Sequence, residues 1–216
     1  MKIYFISGLG ADERVFQYLN LPDIEKVFIK WEKPLKRESL SNYAGRLIKQ
    51  IDISQPVYLI GVSFGGLIAQ EIAKQINCVK IIIISSIKSP KEFSWPLKCV
   101  KFLQLHLIYP KGLLKWSNRI TGNFYFSIQS KKEAQLLAQI INDTDLDFLV
   151  WAMHEIINWK PSNETTIPLL HIHGTHDRIF PVGNLKDYLP IKNGGHFMIV
   201  NQSKAISEII LNYLNK

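Results

Sequence analysis

Three short stretches of this chain hold residue types that together can do nucleophilic chemistry. Gly61-Val62-Ser63-Phe64-Gly65 sets a serine between the apolar run Val57-Tyr58-Leu59-Ile60 and a helical pattern over 67–76. A G-x-S-x-G sequence at such a junction makes a sharp, strained turn that only small neighbours allow, with the serine hydroxyl exposed above the sheet. Pro168-Leu169-Leu170-His171-Ile172-His173-Gly174-Thr175-His176-Asp177 reads as an apolar strand ending at His-Gly, with an aspartate in the loop beyond. Asn193-Gly194-Gly195-His196-Phe197 turns on its glycines and returns an imidazole toward the serine. A serine hydroxyl is a poor nucleophile until a base takes its proton, and His196 is the candidate base. Asp177 would fix the imidazole tautomer and stabilise the imidazolium that forms.

These residues need rigid elements to carry them. The chain alternates strand and helix patterns, which implies a parallel sheet. Strands are predicted over 2–7, 26–30, 57–62, 79–85, 168–173 and 187–192, and helices over 12–20, 39–51, 64–76 and 202–214. Near-continuous apolar runs such as Ile81-Ile82-Ile83-Ile84 suit strands buried on both faces. Ala44, Leu47, Ile48 and Ile51 follow i, i+3, i+4, i+7 and give the second helix one sheet-facing side. The alternation stops over 87–161. There Ser130-Lys131-Lys132-Glu133 is a capping box opening a helix through Ile141, and Asp145 caps another with Leu149, Ala152, Met153 and Ile156 on one face. A further helix is expected over 94–109. Asp12 reads as a helix cap and Glu71 as a helix-surface carboxylate.

With G-V-S-F-G, H-G-T-H-D and G-G-H in the order Ser63, Asp177, His196, the chain resembles the α/β-hydrolase superfamily over nearly its whole length. The resemblance implies an α/β-hydrolase fold: a six-stranded, mainly parallel sheet flanked by helices, without the first two strands of fuller members. It implies a core of 1–86 and 162–216, with a helical lid inserted over 87–161. Ser63, Asp177 and His196 would be the catalytic triad, and the backbone N–H groups of Leu9 and Phe64 the oxyanion hole. Members usually carry His-Gly at the end of the first strand; here Ser7-Gly8-Leu9-Gly10 has a serine in the histidine's place. Trp95, Trp116, Phe124, Tyr125, Phe126 and Trp151 in the insert are the expected lining of an apolar acyl or alcohol pocket.

The activity so implied is hydrolysis of an ester-like bond in a small molecule through an acyl-enzyme, with carboxylesterase as the default and no cofactor. Serine rather than aspartate at the elbow argues against the dehalogenase and epoxide-hydrolase branches. Thioesterase, lactonase, amidase, carbon–carbon hydrolase and haloperoxidase share the triad, and fold does not separate them. A second reading is a ligand receptor that keeps the triad and turns over slowly. A third is a zinc hydrolase, because His171, His173, His176 and Asp177 read H-x-H-x-x-H-D and two histidines at i, i+2 share a strand face.

Composition narrows the partners. The 216 residues, 47% hydrophobic, suffice for one domain with a large core. The net charge of +8 comes from basic residues spread along the chain, with no run longer than two, so a nucleic-acid surface is not indicated. Two cysteines, Cys78 and Cys99, make no disulfide framework and suggest a reducing compartment. No signal peptide is read before the first strand, and the longest unbroken apolar run, at 148–153, is far too short to span a membrane. A cytoplasmic protein is expected; the residues are silent on oligomeric state.

Overall fold

The computed structural model describes residues 1–94, 120–160 and 166–215. Within them lies one parallel sheet of six strands: β1 (Lys2–Ile6), β2 (Glu25–Phe28), β3 (Val57–Val62), β4 (Cys78–Ile84), β5 (Leu169–Gly174) and β6 (Leu189–Ile191). Their spatial order is β2-β1-β3-β4-β5-β6, with every neighbouring pair parallel. Residues two apart point to the same side of a strand, and the core divides accordingly. Tyr4, Ile6, Leu59, Ile81 and Ile83 face α1 (Leu40–Leu47) and α2 (Phe64–Ala73). Ile3, Phe5, Ile60, Val62, Ile82 and Ile84 face α5 (Met198–Asn201) and α6 (Ser203–Leu214). Both faces are therefore dry, as the isoleucine-rich strands require.

The chain goes from β1 outward to β2, then returns past β1 to β3 and proceeds the other way. The carboxyl ends of β1 and β3 thus flank the point where the sheet order reverses, which in open α/β sheets leaves a crevice for ligands. Ser7-Gly8-Leu9 and Ser63 lie at those two ends.

Two helices of the insert follow their sequence signals. In α3 (Lys131–Asp143) the Ser130 hydroxyl oxygen accepts from the Glu133 amide at 3.2 Å, and the Glu133 carboxylate accepts from the Gln129 amide at 3.0 Å. In α4 (Leu146–Asn158) the Asp145 side chain accepts from the Phe148 amide at 2.8 Å. These caps satisfy N-terminal amides that a helix leaves unpaired.

Other expectations are corrected. The helix predicted over 12–20 is a short 3-10 turn, Glu13–Phe16. Asp12 caps that turn and also grips the Arg14 guanidinium at 2.7 Å, while Pro22 keeps Leu21 out of helical geometry. Glu71 is no surface carboxylate. It is buried, accepting from the Trp159 indole N–H at 2.9 Å and from Lys74 at 2.7 Å, and so ties the end of α4 to α2. The helix expected over 94–109 falls outside the described residues, as do Cys99, Trp95 and Trp116.

Candidate active site

Ser63 occupies the junction of β3 and α2 at φ 52°, ψ −119°, a conformation disfavoured for a residue with a Cβ. Strain of this kind persists only where the surroundings over-determine it. The Ser63 amide donates to the Ile84 carbonyl at 2.9 Å, and the Ser63 carbonyl accepts from the Gly66 amide at 2.9 Å and the Ser86 hydroxyl at 2.7 Å. The flanking glycines are dictated by close approach. A Cβ on Gly65 would collide with the Ile6 and Ser7 carbonyls, and one on Gly61 with the Gly65 backbone.

The structure brings Ser63, His196 and Asp177 together from three distant segments. His196 Nε2 lies 2.9 Å from the Ser63 Oγ, and His196 Nδ1 lies 2.8 Å from Asp177 Oδ2. Because the carboxylate can only accept, Nδ1 carries the proton and Nε2 presents its lone pair to the serine. Asp177 Oδ1 accepts from the Ile179 and Phe180 amides at 2.8 and 2.9 Å. Asp177 is buried, which by itself would raise its pKa. The charge and hydrogen bond of His196, with His173 and the Phe180 amide, outweigh that and hold it below the usual carboxylate range. The two loops meet at Gly174, where a Cβ would strike the Gly194 carbonyl, and the His176 amide donates to that carbonyl at 2.8 Å. Edge-on contacts from Phe126 and Phe180, with centroids 5.4 and 5.7 Å away, fix the His196 ring plane.

Gly8 and Leu9 lie across from Ser63. Among the described residues, neither the Leu9 nor the Phe64 amide donates a backbone hydrogen bond outside the regular helices and strands. The buried Ser7 hydroxyl donates to the Ala11 carbonyl at 2.7 Å. The Trp31 indole donates to the same carbonyl at 2.9 Å, and Thr144 Oγ1 donates to the Gly10 carbonyl at 3.2 Å.

A cavity of about 260 Å³ opens beside Ser63 and His196. Its floor is Leu9, Val62 and Phe197; its wall is Leu137, Ile140 and Ile141 of α3 with Leu149, Met153 and Ile156 of α4. Thr144 is polar but already committed to the Gly10 and Ile140 carbonyls. No charged side chain lines it among the described residues.

The aromatic lining expected from the sequence is largely replaced. Phe126 reaches the cavity, but Phe124 and Tyr125 sit on the surface, 59% and 47% exposed. Arg178 stacks over the Phe124 ring at 4.0 Å. Trp151 is two residues, roughly 200° of helix, from Leu149 and so faces away from the cavity. It packs on Tyr43 at 4.4 Å and donates to the Glu38 carbonyl at 2.9 Å. Ser86 and Phe180 carried no motif that could have announced them, whereas Leu149, Met153 and Ile156 of the wall follow the helical period read from the sequence.

Two histidines of the zinc reading are engaged with protein groups. His171 Nε2 and His173 Nδ1 face each other at 3.0 Å, and His173 Nε2 meets the Phe180 carbonyl at 2.9 Å. His176 is exposed, and no group of three metal-ligating side chains converges among the described residues.

No family model and no curated protein sequence matches the chain. Among solved structures it is similar to an epoxide hydrolase from Bacillus megaterium, with TM-score 0.73 and 13% identity over 100% of this chain and 93% of that one. It is likewise similar to a thermophilic esterase from Thermogutta terrifontis, with TM-score 0.72 and 13% identity over 100% and 89% of the two chains. A bromoperoxidase from Bacillus anthracis gives 0.68 and 16% over 100% and 92%. These likenesses span the whole chain, so this protein has the α/β-hydrolase fold.

Proposed function

We propose that this protein is a serine hydrolase that cleaves the ester-like bond of a small molecule with an apolar acyl group. The observation that carries the reading is the continuous contact from Asp177 through His196 to Ser63, opening on an apolar cavity. In this reading Ser63 Oγ attacks the ester carbonyl carbon while His196 Nε2 takes its proton. The Leu9 and Phe64 amides receive the oxyanion, and losing such a donor typically costs about a hundredfold to a thousandfold in turnover. His196 then gives its proton to the leaving alcohol as the carbon–oxygen bond breaks. Water, activated by the same imidazole, hydrolyses the acyl-enzyme and frees Ser63.

The nucleophile supports this assignment within the fold, since residue 63 is a serine rather than a carboxylate. The wall of α3 and α4 favours a neutral aliphatic acyl chain, because burying a charge there would go unpaired. A cavity of about 260 Å³ with this lining suits an aliphatic chain of medium length. Residues 87–161 serve as the lid in this reading.

The test is intact-mass spectrometry after a fluorophosphonate, followed by steady-state kinetics on p-nitrophenyl esters of increasing acyl length. One covalent adduct on wild type, none on Ser63→Ala, and a loss of turnover of about 10⁴-fold or more in Ser63→Ala and His196→Ala are expected. Medium aliphatic esters should exceed both acetyl and succinyl esters in kcat/KM. A folded wild type with neither adduct nor turnover would sink the proposal.

A further inference from the structure

Two buried histidines behind Asp177 play no part in the chemistry just described. His171 and His173 project from the same face of β5 and are essentially without solvent exposure. Apolar residues would fill that space without the cost of burying polar rings. Burial keeps both rings neutral, pushing His171 down to about 3 and lowering His173 as well.

Their hydrogen bonds have one consistent direction. The Phe180 carbonyl can only accept, so the His173 Nε2 that meets it at 2.9 Å carries the proton. His173 Nδ1 is then a lone pair, and His171 Nε2 donates to it at 3.0 Å. The same His173 Nε2–H lies 3.3 Å from Asp177 Oδ2, the oxygen that receives His196. Phe180 is therefore held from both sides: its amide donates to Asp177 Oδ1 and its carbonyl accepts from His173.

We propose that His173, with its tautomer set by the Phe180 carbonyl and matched by a donating His171, is a positioning residue for the proposed triad: it pins the 177–180 loop and faces an N–H toward Asp177, so that the carboxylate stays aimed at His196. The inference rests on the serine-hydrolase reading for its kinetic consequence and on the structure alone for its tautomers. Misplacement of reacting groups by about 1 Å can cost roughly a hundredfold in rate. Leucine at 173 would remove both contacts, whereas glutamine can still present a terminal N–H near the Nε2 position.

The experiment has two arms on the full chain. Ring-nitrogen NMR of ¹⁵N-histidine-labelled wild type should show Nε2–H tautomers at His171 and His173. For p-nitrophenyl ester hydrolysis, His173→Leu should lower kcat about tenfold to a hundredfold at nearly constant KM, and His173→Gln should restore most of it. An Nδ1–H tautomer at His173, wild-type kcat in His173→Leu, or equal impairment of the two variants would overturn the proposal. If His173→Leu does not fold, the tautomers in wild type decide. A wild type inactive on every ester would refute the hydrolase reading instead, with the tautomer result still standing on its own.

Discussion

Ser7 braces its loop through one buried hydrogen bond. In the proposed mechanism the loop carrying Leu9 holds its amide toward Ser63, and the buried Ser7 hydroxyl braces that loop through the Ala11 carbonyl. Trp31 shares that carbonyl, so the brace is doubled rather than single. Ser7→Ala should therefore cost about 1 kcal/mol in urea unfolding, the usual net worth of one hydrogen bond. Turnover should fall several-fold with little change in KM, because the loosened amide matters more to the oxyanion than to the bound ester. The contact of Ser63, His196 and Asp177, the proposed triad, was legible because each residue sits in a glycine-bearing motif. Phe124, Tyr125 and Trp151 were not, because residue type shows that an aromatic will be buried or stacked but not against what.

At the scale of elements, the elbow depends on how closely α2 starts against β1. The Gly65 backbone lies against the Ile6 and Ser7 carbonyls, leaving no room for a methyl group. Those neighbours are main chain and cannot rotate aside. Gly65→Ala should accordingly destabilise by about 3 kcal/mol or more, or leave no folded protein. Gly183→Ala, where a Cβ meets nothing within 4 Å, should stay within about 0.5 kcal/mol of wild type. Thermal melts of the two variants beside wild type check the contrast. The helices of the insert were readable where caps and period agreed, as at Ser130 and Asp145. The segment after β1 departs from the helical pattern because Val15 and Phe16 are buried equally well from a 3-10 turn, with Leu19 buried beyond its end.

For the whole molecule, the buried titratable groups set how stability responds to acid. His171 titrates near pH 3 when folded but near 6.5 when unfolded. Between those values the unfolded chain binds the extra proton, so stability falls as pH falls. Going from pH 7 to pH 5 should lower the urea-unfolding free energy by roughly 2 kcal/mol on account of His171. Asp177, whose folded pKa is depressed, acts lower down: its contribution is present above the unfolded carboxylate value and is lost as pH falls through the folded one. Chemical denaturation at pH 7, 6 and 5 measures the first effect. Stability flat or rising across that range would contradict the buried, neutral assignment of His171 and His173. Among the described residues no helix is long and apolar enough to cross a membrane.

The sequence by itself determined the sheet and the three residues at its carboxyl edge. Strand period, isoleucine runs and glycine turns are local signals, and a serine motif between β3 and α2 can point only one way. Only the tertiary structure decided what surrounds them. Which face of α4 meets the cavity, which carbonyl Ser7 braces and which ring nitrogen of His173 bears a proton all depend on partners a hundred or more residues away or across a loop. Such partners leave no periodic trace, because packing is settled by shape and by the pairing of buried polar groups after the elements have met.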